Sequence, residues 1–195
     1  MPEFERIDKY AQFFGFYVEA ALVNVDCEVR IELPKWKWNA GSGKNYAICW
    51  EFLKFDILPN WEYNHDESGE QCNFSITTAS RAARAGTAYF LATPSDGDCL
   101  LYHHCPFFCA HTTNVQTRYE GFTTDNDRIA NKLTFPDGRG VPVVTDYIYI
   151  QINSDGSNAK TYLDGRCWYR FIKFSLPEYL GLLQQQQEPD TLITT

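Results

Sequence analysis

The sequence lacks any apolar stretch that could cross a bilayer, because no hydrophobic run approaches the roughly 20 residues that a membrane helix needs. It also lacks a recognisable secretory signal, since its N-terminus, MPEFERIDKY, is charged. Both absences predict a soluble protein of a reducing, intracellular compartment without a membrane partner.

Motifs that mark catalytic sites are missing as well. The GxSxG motif of a nucleophile elbow does not occur. Gly41-Ser42-Gly43-Lys44 resembles the end of a phosphate-binding loop, but Asn45 follows the lysine where that motif requires Ser or Thr. The sequence therefore predicts a protein that is not an enzyme.

Paired cysteine motifs of the CxxC type are absent, and the seven cysteines cannot all pair within one chain. One segment is nevertheless rich in metal-ligand types: Cys99, His103, His104, Cys105, Cys109 and His111. On an extended strand His103 and His111 would lie about 26 Å apart, too far to share one ion unless Pro106 folds the chain back. We expect these groups to be half-buried strand residues.

Basic residues are scarce: 17 stand against 25 acidic ones, which gives a net charge of −8. Most of the excess lies in residues 45–127, where eleven acidic residues oppose four basic ones. An acidic protein repels nucleic acid unless its cations are grouped. Contact with nucleic acid is therefore predicted only locally, at Lys35 and Lys37, which alternate with Trp36 and Trp38.

Aspartates concentrate in the predicted turns at Asp96, Asp98, Asp125, Asp127 and Asp137. Such residues bond to nearby backbone without any ion. We therefore expect no resident metal or other cofactor. The exception that the sequence allows is a Ca²⁺ ion at a subunit contact, where Asp125 and Asp127 would supply part of the ligand set.

Alternation of apolar and polar residues with a period of two predicts a β protein. It is complete from Val23 to Leu33, which indicates a strand with one buried face. Within residues 45–58 the apolar face changes side, which predicts a β-bulge near Phe52-Leu53 or burial of both faces. Further strands are predicted at 72–77, 88–92, 99–113, 129–135, 143–153 and 165–176. The pattern predicts an all-β, eight-stranded antiparallel jelly-roll sandwich.

Short helices are minor elements of this prediction. Phe4, Ile7, Ala11 and Phe14 have helical spacing, and residues 177–185 form a second candidate because proline suits a first helical turn. A single helical turn is also expected between Ser80 and Ala85, with Ser80 as its N-cap and Gly86 as its stop.

A chain of 195 residues suits a single domain, so we expect one jelly roll over residues 1–195. Residues 1–14 are expected to be an N-terminal segment, and 184–195, which begin with four glutamines, a flexible tail.

Aromatic residues make up 16% of the chain, more than the core strands need on their apolar faces. Tyr147 and Tyr149 alternate with buried-type isoleucines, and Trp168 alternates with apolar neighbours in the last strand. Exposed rings in number indicate partner surfaces. We predict that Trp36, Tyr147, Tyr149 and Trp168 lie at contacts between subunits.

The last 50 residues or so resemble the end of a viral coat protein. They contain a Gly-Arg-Gly turn at 138–140, an alternating strand at 147–152 and an aromatic and basic strand at 166–174, followed by SLPEYLGLLQ at 175–184. This series is similar to the single-jelly-roll capsid proteins of small non-enveloped viruses with circular single-stranded DNA genomes, and of their environmental relatives.

The resemblance implies a coat subunit without catalytic residues that assembles in many copies into an icosahedral shell. Such a protein is part of the virion and assembles in the host cytoplasm or nucleus. These coats usually begin with an arm rich in Arg and Lys, whereas this sequence begins MPEFERIDKY, so weak binding of packaged nucleic acid is expected. The alternative is a lectin-like β-sandwich module that binds carbohydrate through its surface rings.

Overall fold

The structure, a computed structural model, describes residues 5–20, 26–35, 46–61, 71–87, 90–112, 115–120, 129–153 and 161–187. These ranges contain eleven strands, a short 3-10 helix at Ala82–Arg84 and one α-helix, α1, at Leu176–Gln187. The strands are β1 Glu5–Arg6, β2 Gln12–Ala20, β3 Cys27–Glu32, β4 Tyr46–Trp61, β5 Gln71–Thr77, β6 Cys99–Thr112, β7 Val115–Glu120, β8 Ile129–Lys132, β9 Val141–Val143, β10 Tyr147–Asn153 and β11 Thr161–Ser175.

Eight of these strands form two four-stranded antiparallel sheets. The order is β2-β11-β4-β9 in the first sheet and β3-β10-β5-β6 in the second. Counted along the chain, the first of the eight pairs with the eighth, the second with the seventh, the third with the sixth and the fourth with the fifth. This nested pairing is that of a jelly roll, and it confirms the predicted all-β, eight-stranded antiparallel fold. The other three strands lengthen it: β1 pairs with β11, β8 with β4, and β7 with β6.

The hydrophobic core lies between the two sheets. In the second sheet Ile150 sits beside Val29 of β3 and Ile76 of β5. In the first sheet Phe52 and Phe55 of β4 are fully buried, with their ring centroids 5.8 Å apart. Burial of each side chain of this size stabilises the fold by about 1.5–3 kcal/mol.

A β-bulge interrupts the long pairing of β4 with β11. Trp168 lies opposite Lys54 and Tyr169 lies opposite Phe52, so Leu53 is the extra residue. The predicted bulge is therefore confirmed, and both faces of β4 are also covered there, because Glu51 and Phe52 are both buried. The central position of β4 in its sheet explains why its alternation is incomplete.

The helix predicted near the N-terminus is wrong, because residues 12–20 form strand β2. Phe16 and Val18 are buried in the core, and this period-two burial outweighs the helical spacing of the residues before them. The Phe16 ring lies over Gly165 of β11, its partner in the register. A Cβ at Gly165 would lie 2.3 Å from that ring, so only glycine leaves room for it.

Two other strand predictions need correction. Residues 90–92 are not a strand; they belong to a connection in which Phe90 and Ala92 are buried. The predicted strand 143–153 is two strands, because β9 pairs in the first sheet and β10 in the second. The chain therefore changes sheet at residues 144–146, a step that periodicity does not reveal. The helical turn predicted between Ser80 and Ala85 is confirmed as the 3-10 helix Ala82–Arg84, but its N-cap is Arg81 and not the predicted Ser80.

The C-terminal helix α1 confirms the helix predicted at 177–185 and is longer than expected. Tyr179, Leu182 and Leu183 pack against the core. The buried Gln186 side chain accepts a hydrogen bond from the Val144 amide (2.9 Å) and donates one to the Pro142 carbonyl (2.8 Å). Residues 184–187 of the expected tail therefore belong to the helix, and 188–195 lie outside the described residues. Among the described residues, no helix has both the length and the apolar character that crossing a membrane requires.

Candidate functional site

The outer face of the first sheet carries a row of two rings and two ammonium groups. Residues opposite one another in an antiparallel pair share a face. Phe13 of β2 lies opposite Trp168 of β11, Trp168 opposite Lys54 of β4, and Lys54 opposite Lys132 of β8. At about 4.8 Å between neighbouring strands, this row is roughly 14 Å long.

A second row runs beside the first and adds a guanidinium group. Arg166 of β11 is exposed and lies opposite Gly15 of β2. Its guanidinium carbon is 5.5 Å from the centroid of the Phe13 ring, within cation–π range. We call the two rows together the aromatic-basic face. Its members are Phe13, Gly15, Lys54, Lys132, Arg166 and Trp168.

The carboxylate of Asp56 fixes the centre of this face. Asp56 is almost fully buried and accepts a hydrogen bond from the Trp168 indole at 3.2 Å. The Lys54 ammonium lies 2.6 Å from the same carboxylate. The Phe13 and Trp168 ring centroids are 5.2 Å apart, and the Phe13 side chain remains 55% exposed. One ring is therefore held in position by its neighbour and still presents its surface to solvent.

The charge of the sheet changes sign beyond the second row. Tyr17 and Tyr162 form another ring pair, with centroids 6.1 Å apart. Asp164 lies opposite Tyr17, and Glu19 lies opposite Tyr162. The far half of the sheet thus combines rings with carboxylates, whereas the aromatic-basic face combines rings with cations.

The residues predicted at subunit contacts lie on different sheets. Tyr147 and Tyr149 are half-buried on the outer face of the second sheet, where the Arg30 guanidinium carbon is 4.5 Å from the Tyr147 ring. Trp168 is half-buried on the first sheet, and Trp36 lies outside the described residues. A role at subunit contacts stays a prediction for all four.

The residues predicted to contact nucleic acid or metal are only partly described. Lys35 is exposed and its ammonium lies 2.8 Å from the Glu32 carboxylate, which raises the pKa of Lys35 by hydrogen bonding and charge. Lys37, Asp125 and Asp127 lie outside the described residues.

Residues 78–87 and 90–98, which connect β5 to β6, contact the outer face of the second sheet. Gln151 is fully buried and donates hydrogen bonds to Glu28 (2.9 Å) and Thr77 (2.8 Å). Its amide oxygen accepts one from Ser75 (2.8 Å). The backbone amide of Arg81 in the connection also donates to Glu28, at 2.6 Å. These polar groups are therefore hydrogen-bonded within the chain.

A buried ion pair closes the same connection. The Arg81 side chain is 2% exposed, and its guanidinium lies 2.6 Å from Asp98 and 3.1 Å from Asp96. Asp96 also accepts a hydrogen bond from the Thr93 amide at 2.8 Å, and Asp137 accepts one from the Arg139 amide at 3.0 Å. Asp96 and Asp137 therefore bind nearby backbone, as their sequence context predicted, whereas the Asp98 carboxylate pairs with the Arg81 side chain.

The described cysteines behave as small apolar side chains. Burial raises the pKa of Cys49 to about 12, and burial together with Asp98 raises the pKa of Cys99 to about 11. His103 is half-buried, 5.6 Å from the Phe74 ring. The side chains of His104, Cys105, Cys109 and His111 lie outside what the structure describes. Across the described part of the chain, no three His, Cys, Asp or Glu side chains are grouped as a metal site would require.

Sequence reasoning missed most of the aromatic-basic face. Phe13 and Gly15 fell at the border of a predicted helix, and Lys54, Lys132 and Arg166 lie on strands whose neighbours were unknown. The alternation in QFFGFYVEA, residues 12–20, is the signal that could have identified β2 and its exposed rings.

Comparison with known proteins gives matches by structure only. No protein-family model matches the sequence, and no curated protein sequence matches it. The structure is similar to VP1 of Trichodysplasia spinulosa-associated polyomavirus in complex with 3'-sialyllactose, at 10% identity and a TM-score of 0.49, over 88% of this chain and 98% of that one. It is also similar to Merkel cell polyomavirus VP1 in complex with disialyllactose, at 9% identity and a TM-score of 0.49, over 89% and 99% of the two chains.

A further similar structure is apo New Jersey polyomavirus VP1, at 8% identity and a TM-score of 0.47, over 85% of this chain and 100% of that one. At such low sequence identity, these structural similarities do not identify the function of the chain.

Proposed function

We propose that this chain is a structural coat subunit that self-assembles in many copies into an icosahedral viral shell. Within that class we propose the single-jelly-roll type of small non-enveloped viruses with circular single-stranded DNA genomes and their environmental relatives. The protein would then be part of the virion, perform no catalysis and act through contacts between copies.

One observation carries the proposal. The segment that resembles coat proteins, residues 138–187, includes β9, β10, β11 and α1. Strands β10 and β11 are interior strands of the second and first sheets, each paired on both sides. The resemblance therefore concerns the framework of a jelly roll, a fold that viral coats use.

The physical mechanism of assembly is burial of exposed rings and apolar side chains between copies. Buried apolar area contributes about 25 cal/mol per Å², less the cost of association. Tyr147 and Tyr149 are proposed contacts because they are half-buried in one chain and a neighbour could complete their burial. Ca²⁺ shared between subunits through Asp125 and Asp127 remains part of the proposal.

The test is the mass and shape of the expressed protein. We expect electron microscopy to show closed particles and light scattering to give a mass in the megadalton range. Replacing Tyr147 and Tyr149 together by Ser should reduce particle yield at least tenfold while the circular dichroism spectrum stays that of a β protein. The control is Tyr10→Ser, which removes a ring that is 73% exposed outside these faces.

One outcome contradicts the proposed shell, and a second contradicts only the proposed tyrosine contacts. A wild-type chain that remains a 22.5 kDa monomer at high concentration does not build a shell. Full particle yield from the double variant shows that the two tyrosines are not at the contacts.

The exposed Phe13 and Tyr17 rings also allow a lectin-like, carbohydrate-binding module. A monomer that binds glycans would establish that alternative.

A further inference from the structure

We propose that the aromatic-basic face binds single-stranded nucleic acid. A base stacks on the Phe13 ring beside Trp168, and phosphates lie near Arg166, Lys54 and Lys132. The inference deepens the proposed function, and its biological meaning rests on it, because a coat subunit encloses a genome. The chemistry is shared by single-stranded DNA and RNA, and the test distinguishes the two.

The rings supply a stacking platform. Aromatic side chains on an open surface bind successive bases by stacking, with little dependence on sequence. Phe13 is more than half exposed, so its ring is accessible. Trp168 is fixed by its hydrogen bond to Asp56 and supports Phe13 at 5.2 Å. Because the ring is held before binding, little side-chain entropy is lost when a base stacks on it.

The charge of the face favours an anionic partner. Arg166 lies beside Phe13, Lys54 opposite Trp168 and Lys132 opposite Lys54. The one carboxylate in these two rows, Asp56, lies opposite Arg166, is buried and is contacted by Lys54 and Trp168. This local excess of positive charge stands out in a protein whose net charge is −8. Phosphates neutralise these cations directly through charge-assisted hydrogen bonds.

Space for a flat base lies above Gly15. A Cβ built on Gly15 would contact only the Gly165 carbonyl oxygen, at an ordinary 3.7 Å. The position is flanked by Phe13 on its own strand and by Arg166 opposite it. A larger residue at position 15 would fill this gap without disturbing the sheet, because its side chain would project from the outer face.

The experiment measures binding of labelled 20-mers of dT and of rU by fluorescence anisotropy. The protein concentration is kept low enough that the chains do not assemble. With about three cations engaged, the logarithm of affinity should fall with a slope of about −2 against the logarithm of salt concentration, or roughly 100-fold between 50 and 500 mM. A tighter complex with dT identifies single-stranded DNA as the preferred ligand, and a tighter complex with rU identifies single-stranded RNA. A duplex of equal length should bind at least tenfold more weakly, because its bases are not free to stack.

Variants locate the site. Phe13→Ser should weaken binding about tenfold through loss of stacking, and the pair Arg166→Glu with Lys132→Glu should abolish it at 100 mM salt. Gly15→Val should also weaken binding, by filling the gap while keeping a residue that strands favour. The matched controls are Tyr10→Ser and Lys9→Glu, an exposed ring and an exposed cation outside the face, which should bind as the wild type does.

Absence of binding to both oligonucleotides at 50 mM salt overturns the inference, and so does unchanged binding by Phe13→Ser and Gly15→Val. A change in oligomeric mass on Phe13→Ser without a change in binding overturns it too, in favour of contact between copies. Light scattering on undiluted samples reports assembly separately. A chain that assembles but does not bind refutes only this inference, and one that binds but does not assemble refutes only the proposed shell.

Discussion

The outer faces of the two sheets differ in how the chain itself covers them. On the second sheet, residues 78–87 and 90–98 lie over the strands, and Gln151 is fully buried within a network of side-chain hydrogen bonds. On the first sheet, Phe13, Tyr17 and Leu58 are 55%, 58% and 42% exposed. A sheet face that its own chain satisfies offers little to a partner, so binding chemistry is expected where the chain leaves rings and cations uncovered.

The covered face depends on ionic and polar contacts in addition to apolar ones. Arg81 and Asp98 lose nearly all their hydration, and their mutual contact compensates that loss only while both are present. On the outer face of the first sheet two carboxylates are buried, Glu51 beside Arg6 and Asp56 beside Lys54, whereas Arg166 and Lys132 are exposed. We therefore expect substitutions of the buried polar residues on the outer face of the second sheet (the covered face) to lower the free energy of unfolding strongly. Substitutions of the exposed residues on the outer face of the first sheet (the bare face) should lower it little.

The largest expected effect is that of Arg81→Met. It leaves the Asp98 carboxylate buried without its partner, and we expect a loss of about 3–5 kcal/mol in the free energy of unfolding. Denaturation by urea, followed by circular dichroism, measures it. The matched control is Arg166→Met on the bare face, expected to change stability by less than about 0.5 kcal/mol. Equal losses for the two variants would show that the connection of residues 78–98 does not depend on this ion pair.

Two glycines on neighbouring strands provide the next comparison. Gly165→Ala places a Cβ against the Phe16 ring inside the core and should cost about 1–3 kcal/mol through overpacking. Gly15→Ala places a Cβ on the outer face of the first sheet, at an ordinary contact distance of 3.7 Å from the Gly165 carbonyl oxygen, and should be neutral or raise stability by up to about 1 kcal/mol. Thermal unfolding of both variants tests the pair. A larger loss from Gly15→Ala would mean that the face assigned to the outside is in fact packed.

Local pattern was sufficient to predict much of the fold. The alternation from Val23 to Leu33 predicted β3, and the change of side near Phe52-Leu53 predicted the bulge that the register shows. The proline at position 177 correctly indicated the start of α1. These features depend on residues close together in the sequence, and their physical cause is the period of the backbone itself.

Features that depend on distant partners were not predictable. Three features depend on contacts between segments that are far apart in the sequence. They are the change of sheet at residues 144–146, the burial of Arg81 against Asp98, and the row of side chains from Phe13 to Lys132. Hydrophobic periodicity indicates which residues share a face but not which strand lies beside them. Trp168 could be singled out as an outward ring, whereas its neighbours Phe13 and Lys54 could not.

The smallest expected effect is that of Phe13→Ser on stability, and it decides how the exposed ring is interpreted. More than half of the Phe13 side chain is already in water in the single chain, so its removal should change the free energy of unfolding by no more than about 0.5–1 kcal/mol. The comparison is Phe16→Ala, three residues along β2 and buried, which should cost about 3–5 kcal/mol. Urea denaturation of both variants measures the two losses in the free energy of unfolding, which are then compared. If Phe13→Ser costs as much as Phe16→Ala, the ring stabilises the fold and its exposure gives no reason to expect a partner. If the cost is small, folding does not explain a large aromatic side chain held beside Trp168 and Arg166, and a contact outside the chain does.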